Sequence, residues 1–291
     1  MKKIAFINLV LLTIASCFLT SCEKVIDVDL PDGEKLLYAD AWITDQPGEQ
    51  VIKVFKAANY FSKNGPEPVA DAQVKLHDLT DGNTYNFVYN NGKYVYNPGS
   101  TERIGFIDHE YKLEITALGE QYEAFDQINR VPPVDSITFK FKKGASKDDP
   151  DGYEAKFYAK DLAGKTDYYW IRTYLNGKLH RYVQEMYSID GSFYEDISDG
   201  FPFIPPIQES ITDPDHLFQK NDKVKVLIRS LSKQSYEFIK QVSELLEDDG
   251  IFETIPANIK SNFRNVNPNS SKKLLGWFGT TAESSLEKQI Q

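Results

Sequence analysis

The chain has 291 residues, too long for one ordinary small domain and suited to two domains or one large all-β unit. Apolar residues make up 41% and charged residues 26%, which lets the chain bury a core and excludes global disorder. Acidic side chains outnumber basic ones 43 to 33, for a net charge of −10, and this excludes the basic stripe that a nucleic-acid binder uses to displace counterions from phosphates.

Met1, Lys2 and Lys3 form a short positive start, and residues 4–19 are mostly apolar, broken by Asn8, Thr13 and Ser16. The run falls short of the ~20 residues of a membrane-spanning helix and reads as a secretory signal. It ends in Leu19-Thr20-Ser21-Cys22, followed at once by Glu23. Small residues before a cysteine look like a bacterial lipobox, in which the Cys22 sulfur is lipidated and the peptide is cut before it. Residues 1–21 are then a signal peptide, and the membrane is reached through the lipid on Cys22. Each buried CH₂ contributes ~0.8 kcal/mol, so several acyl chains on one cysteine anchor firmly. The plainer alternative is an ordinary signal cut near Ser21. Of the 2 cysteines, Cys17 and Cys22, cleavage before Cys22 keeps one. That leaves no pair for a disulfide and no thiol for zinc or nucleophilic catalysis.

Residues 22–35 form a polar tether. Alternating strands are expected at 36–44, 50–57, 72–79, 84–89, 93–97, 109–118 and 121–128, with Leu37, Ala39 and Ala41 on one face, Val74 and Leu76 facing inward, and Tyr111, Leu113, Ile115 and Ala117 recurring at every second position. Asp81-Gly82 and Asn91-Gly92 are hairpin dipeptides, because both central residues of such turns need positive φ. Gly119-Glu120 is expected to join the last two strands. Short strands at this spacing predict an Ig-like or transthyretin-like β-sandwich over 36–130.

Val131-Pro132-Pro133-Val134 supplies few backbone donors and favours extended chain, so 131–136 is read as a domain junction. A second β domain is expected over 137–291. Its strands are 136–142, 153–160, 167–175, 178–188 and 223–231, with a last one near 274–279, and Asn176-Gly177 marks its clearest hairpin. Phe201-Pro202-Phe203-Ile204-Pro205-Pro206 cannot pair as a central strand, which makes 189–222 a long excursion. Ser232 can cap a helix over about 233–248, where Tyr236, Ile239, Val242 and Leu246 recur at helical spacing.

The chain contains no nucleophile elbow, Walker A loop, dinucleotide fingerprint or H-E-x-x-H pair. His77, His109, His180 and His216 are scattered without ligand spacing, so neither a metal nor any other cofactor is expected. Asp148-Asp149-Pro150-Asp151-Gly152 lacks the terminal Glu of a calcium loop and reads as a solvated turn. Asp213-Pro214-Asp215-His216 either polarises the imidazole, holds a metal or simply starts a turn. Glu195, Asp196 and Asp199 are the loop carboxylates that a hydrolase reading would use, with two of them facing across a cleft. Aromatic residues concentrate in 168–203. Most fill a core in the plain reading, whereas Phe193, Tyr194, Phe201 and Phe203 are the candidates for a partner-binding surface.

Several stretches together resemble the DUF4249 type of Bacteroidota surface lipoprotein, a family of unknown function. They are Cys22-Glu23-Lys24-Val25-Ile26-Asp27-Val28-Asp29-Leu30, residues 37–44, Val131-Pro132-Pro133-Val134-Asp135-Ser136, and Ile255-Pro256-Ala257-Asn258-Ile259 leading to Leu275-Gly276-Trp277-Phe278. The resemblance implies an outer-membrane lipoprotein often linked with a TonB-dependent transporter, and it carries no catalytic motif. The expectation is therefore a mainly β, non-enzymatic accessory or binding protein of the outer membrane, tied to such a transporter and to nutrient capture. An adhesin or structural surface module is the alternative reading, and a hydrolase the third.

Overall fold

The computed structural model describes residues 36–57, 65–144, 150–180, 186–195, 198–247 and 259–291. The signal segment, Cys22, the tether, Asp148, Asp149, Asp196 and residues 255–258 lie outside the described residues.

Before the Pro-Pro segment come β1 (Leu37–Thr44), β2 (Gln50–Lys56), β3 (Glu67–Pro68), β4 (Gln73–Asp78), β5 (Thr84–Asn90), β6 (Lys93–Tyr96), β7 (Glu110–Ala117) and β8 (Glu120–Gln127). After it come β9 (Val134–Lys142), β10 (Gly152–Ala159), β11 (Tyr168–Leu175), β12 (Lys178–Leu179) and β13 (Met186–Ile189). The single-turn helix α1 (Pro205–Glu209) is followed by β14 (Lys223–Leu231) and the long helix α2 (Lys233–Glu247). The chain ends in β15 (Arg264–Asn265), β16 (Leu274–Thr281) and β17 (Glu283–Gln289). The protein is mainly β, as its alternating patterns predict.

Alternation decides which face is buried. In β7, Tyr111, Leu113, Ile115 and Ala117 are buried while the residues between them are not. The Asn91-Gly92 and Asn176-Gly177 turns have positive φ at both residues, 47° with 83° and 51° with 79°. Asp81-Gly82 does not form the two-residue hairpin expected of it. The Asp78 carboxylate instead accepts the N–H groups of Thr80 and Asp81 at 3.0 and 3.1 Å, which organises a longer loop. The β7–β8 turn also falls one residue early, on Leu118-Gly119, since Glu120 already pairs with Ala117.

A 10-stranded sheet runs in the order β15-β8-β7-β4-β5-β6-β2-β1-β16, with β3 beside β2. Only β1 and β16 run parallel in it, Leu37 facing Leu274 through Thr44 facing Thr281. Its far end returns so that β16 packs beside β8, and the sheet almost closes around the first core. A 5-stranded sheet of β12, β11, β14 and β17, with β13 on β11, and the β9–β10 hairpin enclose the second core. Residues 131–133 carry no regular secondary structure, and Val131 packs against both cores.

The division of the chain at this junction needs correction in one respect. β15 and β16 come from the C-terminal half yet belong to the first sheet, and β17 belongs to the second. Residues 36–130 therefore do not build the first core alone; Leu274, Phe278 and Ala282 complete it. Residues 35–291 form one compact unit. Ser232 caps α2 as expected, its Oγ accepting the Ser235 N–H at 3.2 Å. Tyr236 and Ile239 of α2 pack with Trp170, Ile189 and Leu231, against which Trp42 of β1 also rests.

Candidate functional site

The excursion after β13 is organised by backbone pairing rather than left loose. Ile189 and Ser192 exchange N–H···O bonds of 2.8 and 2.7 Å around the Asp190-Gly191 turn. Phe203 donates its N–H to Ala159 at 3.0 Å, and Asp161 donates to the Phe201 carbonyl at 2.9 Å. The Phe-Pro strip thus lies along the exit of β10, as prolines allow only at a strand edge.

Residues two apart on a regular strand share a face, but Phe201 and Phe203 part company. The Phe201 N–H turns back onto the Ser198 carbonyl at 2.9 Å, which swings its ring outward. Phe201 is 63% exposed, Tyr194 68% and Phe193 41%, whereas Phe203 is 1% exposed. The Phe203 ring stacks on Tyr169 at 5.5 Å, meets Phe157 edge-on at 6.0 Å and covers Gly191. Phe203 is therefore a residue of the second core and not part of a partner surface, a division that the sequence pattern does not make.

An ionic network holds the segments that flank the three exposed rings. Asp161 and Asp167 flank the loop between β10 and β11, and Asp190 sits in the tight turn. The Tyr169 hydroxyl donates to Asp161 Oδ1 at 2.5 Å, and the Gly200 N–H to its Oδ2 at 2.8 Å. The Asp167 N–H donates to Asp190 Oδ1 at 2.5 Å. Arg130, from just before the prolines, places Nε at 2.8 Å from Asp167 Oδ2 and also donates to the carbonyls of Leu162, Ala163 and Lys165. Burial pushes the Asp190 acid up to about 6, reinforced by the negative charges of Asp161, Asp167 and Asp199. Burial also raises the Asp167 acid, against the pull of Arg130, and raises the Tyr169 phenol strongly. In the sequence Asp190 reads only as a turn residue, ahead of Gly191. Asp161 and Asp167 share one loop, but no local spacing joins them to Arg130 or Asp190, which the fold brings in over 37 and 23 positions.

The other sequence candidates are held by local partners. Glu195 accepts from the Tyr168 hydroxyl at 2.8 Å and from Lys233 at 2.9 Å, whereas Asp199 accepts the Gly164 N–H at 2.8 Å. These two loop carboxylates thus serve different partners. Asp213 accepts the Asp215 N–H at 2.9 Å and meets His216 Nδ1 at 2.7 Å, a turn that also polarises the imidazole. His109 Nδ1 lies 2.8 Å from Asp78 Oδ2, and His77 Nδ1 lies 3.0 Å from the Thr84 hydroxyl.

The family described as "Domain of unknown function (DUF4249)" matches residues 23–287. The chain belongs to this family. The DUF4249 match takes in both cores, the excursion and β16, and it ends inside β17. Its extent agrees with the exchange of strands between the two halves, because neither half is complete without residues 264–287. No curated protein matches the chain. Among the described residues no helix is long and apolar enough to cross a membrane.

Proposed function

We propose that this DUF4249 member is a non-enzymatic outer-membrane lipoprotein. In this reading Cys22 carries the lipid, and the excursion docks a partner, a TonB-dependent transporter engaged in nutrient capture. The observation that carries the docking role is the exposure of Phe193, Tyr194 and Phe201 on a backbone held by hydrogen bonds on several sides. Such rings lose little conformational freedom on binding and are enriched at interfaces, where a few aromatic anchors supply most of the energy. The anchor is supported by the apolar leader ending at Ser21-Cys22 and by the polar residues that follow it. The transporter link comes from the family resemblance.

The test joins fractionation with affinity purification. Cys22→Ala should move the protein from the membrane pellet to a soluble or precursor form. Purification of the lipidated protein from membranes should bring down a β-barrel transporter. The Tyr194→Ala/Phe201→Ala pair should lose that partner while melting unchanged. Unmodified Cys22 on the mature native protein would reject the anchor, and undiminished co-purification of the paired variant would reject the docking surface.

A further inference from the structure

Three carboxylates, two from the β10–β11 loop and one from the turn after β13, converge at the entrance to β11. One oxygen from each of Asp161, Asp167 and Asp190 lies within 4.8 Å of the others, and the residues are 3%, 3% and 0% exposed. Oxygens bound to one calcium ion at 2.3–2.6 Å stand at most ~5 Å apart, so one ion can touch all three. Arg130 pairs with Asp167 at 2.6 Å and balances one of the charges. Lys165 and Asp199 act only through space and with opposite signs. The cluster thus retains two buried negative charges, a condition that proteins relieve by pairing or by metal coordination. A dication supplies the missing charge.

A separate observation points to a ligand. Asp190 Oδ2 is fully buried and has no hydrogen-bond partner, although Oδ1 of the same carboxylate is satisfied. Ser198, 5% exposed, carries a second buried oxygen without a partner, on the loop whose Gly200 N–H caps Asp161. Orphaned buried acceptors are rare and call for an ion or a water. All the available donors are oxygens, the hard set that suits calcium rather than zinc.

We infer that Asp161, Asp167 and Asp190 bind one calcium ion, with Asp190 Oδ2 as the ligand that no protein group satisfies. Water fills the remaining positions of the six to eight that calcium takes. The ion would tie the Asp190 turn to the β10–β11 loop, and so brace the ledge that carries Phe193, Tyr194 and Phe201.

The test is calorimetric titration of calcium chloride into the full-length lipoprotein in detergent, after treatment with a chelator, together with melting in calcium and in EDTA. Wild type should bind one ion saturably, and its melting midpoint should rise by several degrees. Asp190→Asn keeps the Oδ1 acceptor and a residue that tolerates the left-handed turn. It should lose at least tenfold in calcium affinity, along with the melting shift. Asp161→Asn, which keeps an oxygen to accept from Tyr169 or Gly200, should also weaken binding severalfold, a second reading should the first variant fold poorly. Wild type without saturable binding, or Asp190→Asn with unaltered binding, would overturn the site. Equal affinity for magnesium would overturn the assignment to calcium. A protein blind to calcium but stabilised by acid through Asp190 would show a shared proton in place of the ion.

Discussion

Asp126 Oδ2 in β8 accepts the backbone N–H of Thr280 in β16 at 2.8 Å, joining a mid-chain strand to one near the C-terminal end across the seam of the first sheet. The same oxygen accepts the Ser235 hydroxyl at 3.0 Å, and that Oγ accepts the Trp277 indole N–H at 2.9 Å. Gln234 reaches Asp126 Oδ1 at 3.3 Å. One carboxylate thus fastens β8, β16 and the first turn of α2. Replacing it leaves buried donors without acceptors, at about 1–3 kcal/mol each. Asp126→Ala should therefore lose roughly 2–5 kcal/mol, measured by denaturant unfolding. An unchanged midpoint would show that the seam closes without it.

Asp126 also sets a pH dependence. Its folded acid is raised above the ordinary 3.8 by burial, which outweighs the hydrogen bonds that favour the charged form. The folded state then holds the proton more tightly than the unfolded state. This contribution to stability is complete below the ordinary carboxylate range and is lost as pH rises toward the elevated folded value. Melting of wild type and Asp126→Asn from acid to neutral pH should diverge, with wild type losing stability relative to the variant as pH rises. Parallel curves would contradict this account.

The two phenylalanines of the Phe-Pro strip should behave oppositely. Phe203 is enclosed by Tyr169, Phe157 and Gly191, and Phe→Ala in a core costs ~3–5 kcal/mol. Phe203→Ala should lower the melting midpoint by on the order of 10 °C, at ~2–4 °C per kcal/mol for a unit of this size. Phe201 is 63% exposed, and Phe201→Ala should stay within ~0.5 kcal/mol of wild type. Equal losses in the two single variants would mean that the Phe201 ring also packs.

The contrast shows what the sequence made legible. Alternation in 37–44, 73–78 and 110–117 revealed strands and their buried faces, because burial on one side of a pleat leaves a period of two. β17 leaves no strand signal because Glu-Ser-Ser-Leu-Glu-Lys-Gln offers Leu286 as its lone large apolar side chain, and pairing with β14 holds it in place. The parallel partnership of β1 with β16 joins residues far apart in sequence and leaves no local mark. The exposed rings were legible as a cluster, but which ring turns inward depends on the Ser198–Phe201 turn. The network joins Asp161 and Asp167 of one loop to Asp190 and Arg130 only through the fold.

The exchange of strands makes its own prediction. Residues 36–130 contain β1 to β8 but lack Leu274, Phe278 and Ala282, which complete the first core. Without β16, β1 becomes a bare edge, and the Asp126 carboxylate loses both Thr280 and the helix that satisfies it. A fragment of residues 36–130 should therefore be unfolded or aggregated, as unpaired strand edges usually are. A subtler probe is Gly276, which pairs with Ala39 at φ 95°, where an added Cβ would stand 2.0 Å from the Ala39 carbonyl oxygen. That contact cannot be relieved by rotating a side chain, since both sides are backbone. Gly276→Ala should force β16 off β1 and destabilise the whole unit rather than its C-terminal half alone. Hydrogen exchange reads the difference directly: amides of β1 and β8 should lose protection together with those of β16. Loss confined to β14 and β17 would show that the first sheet holds without its parallel strand.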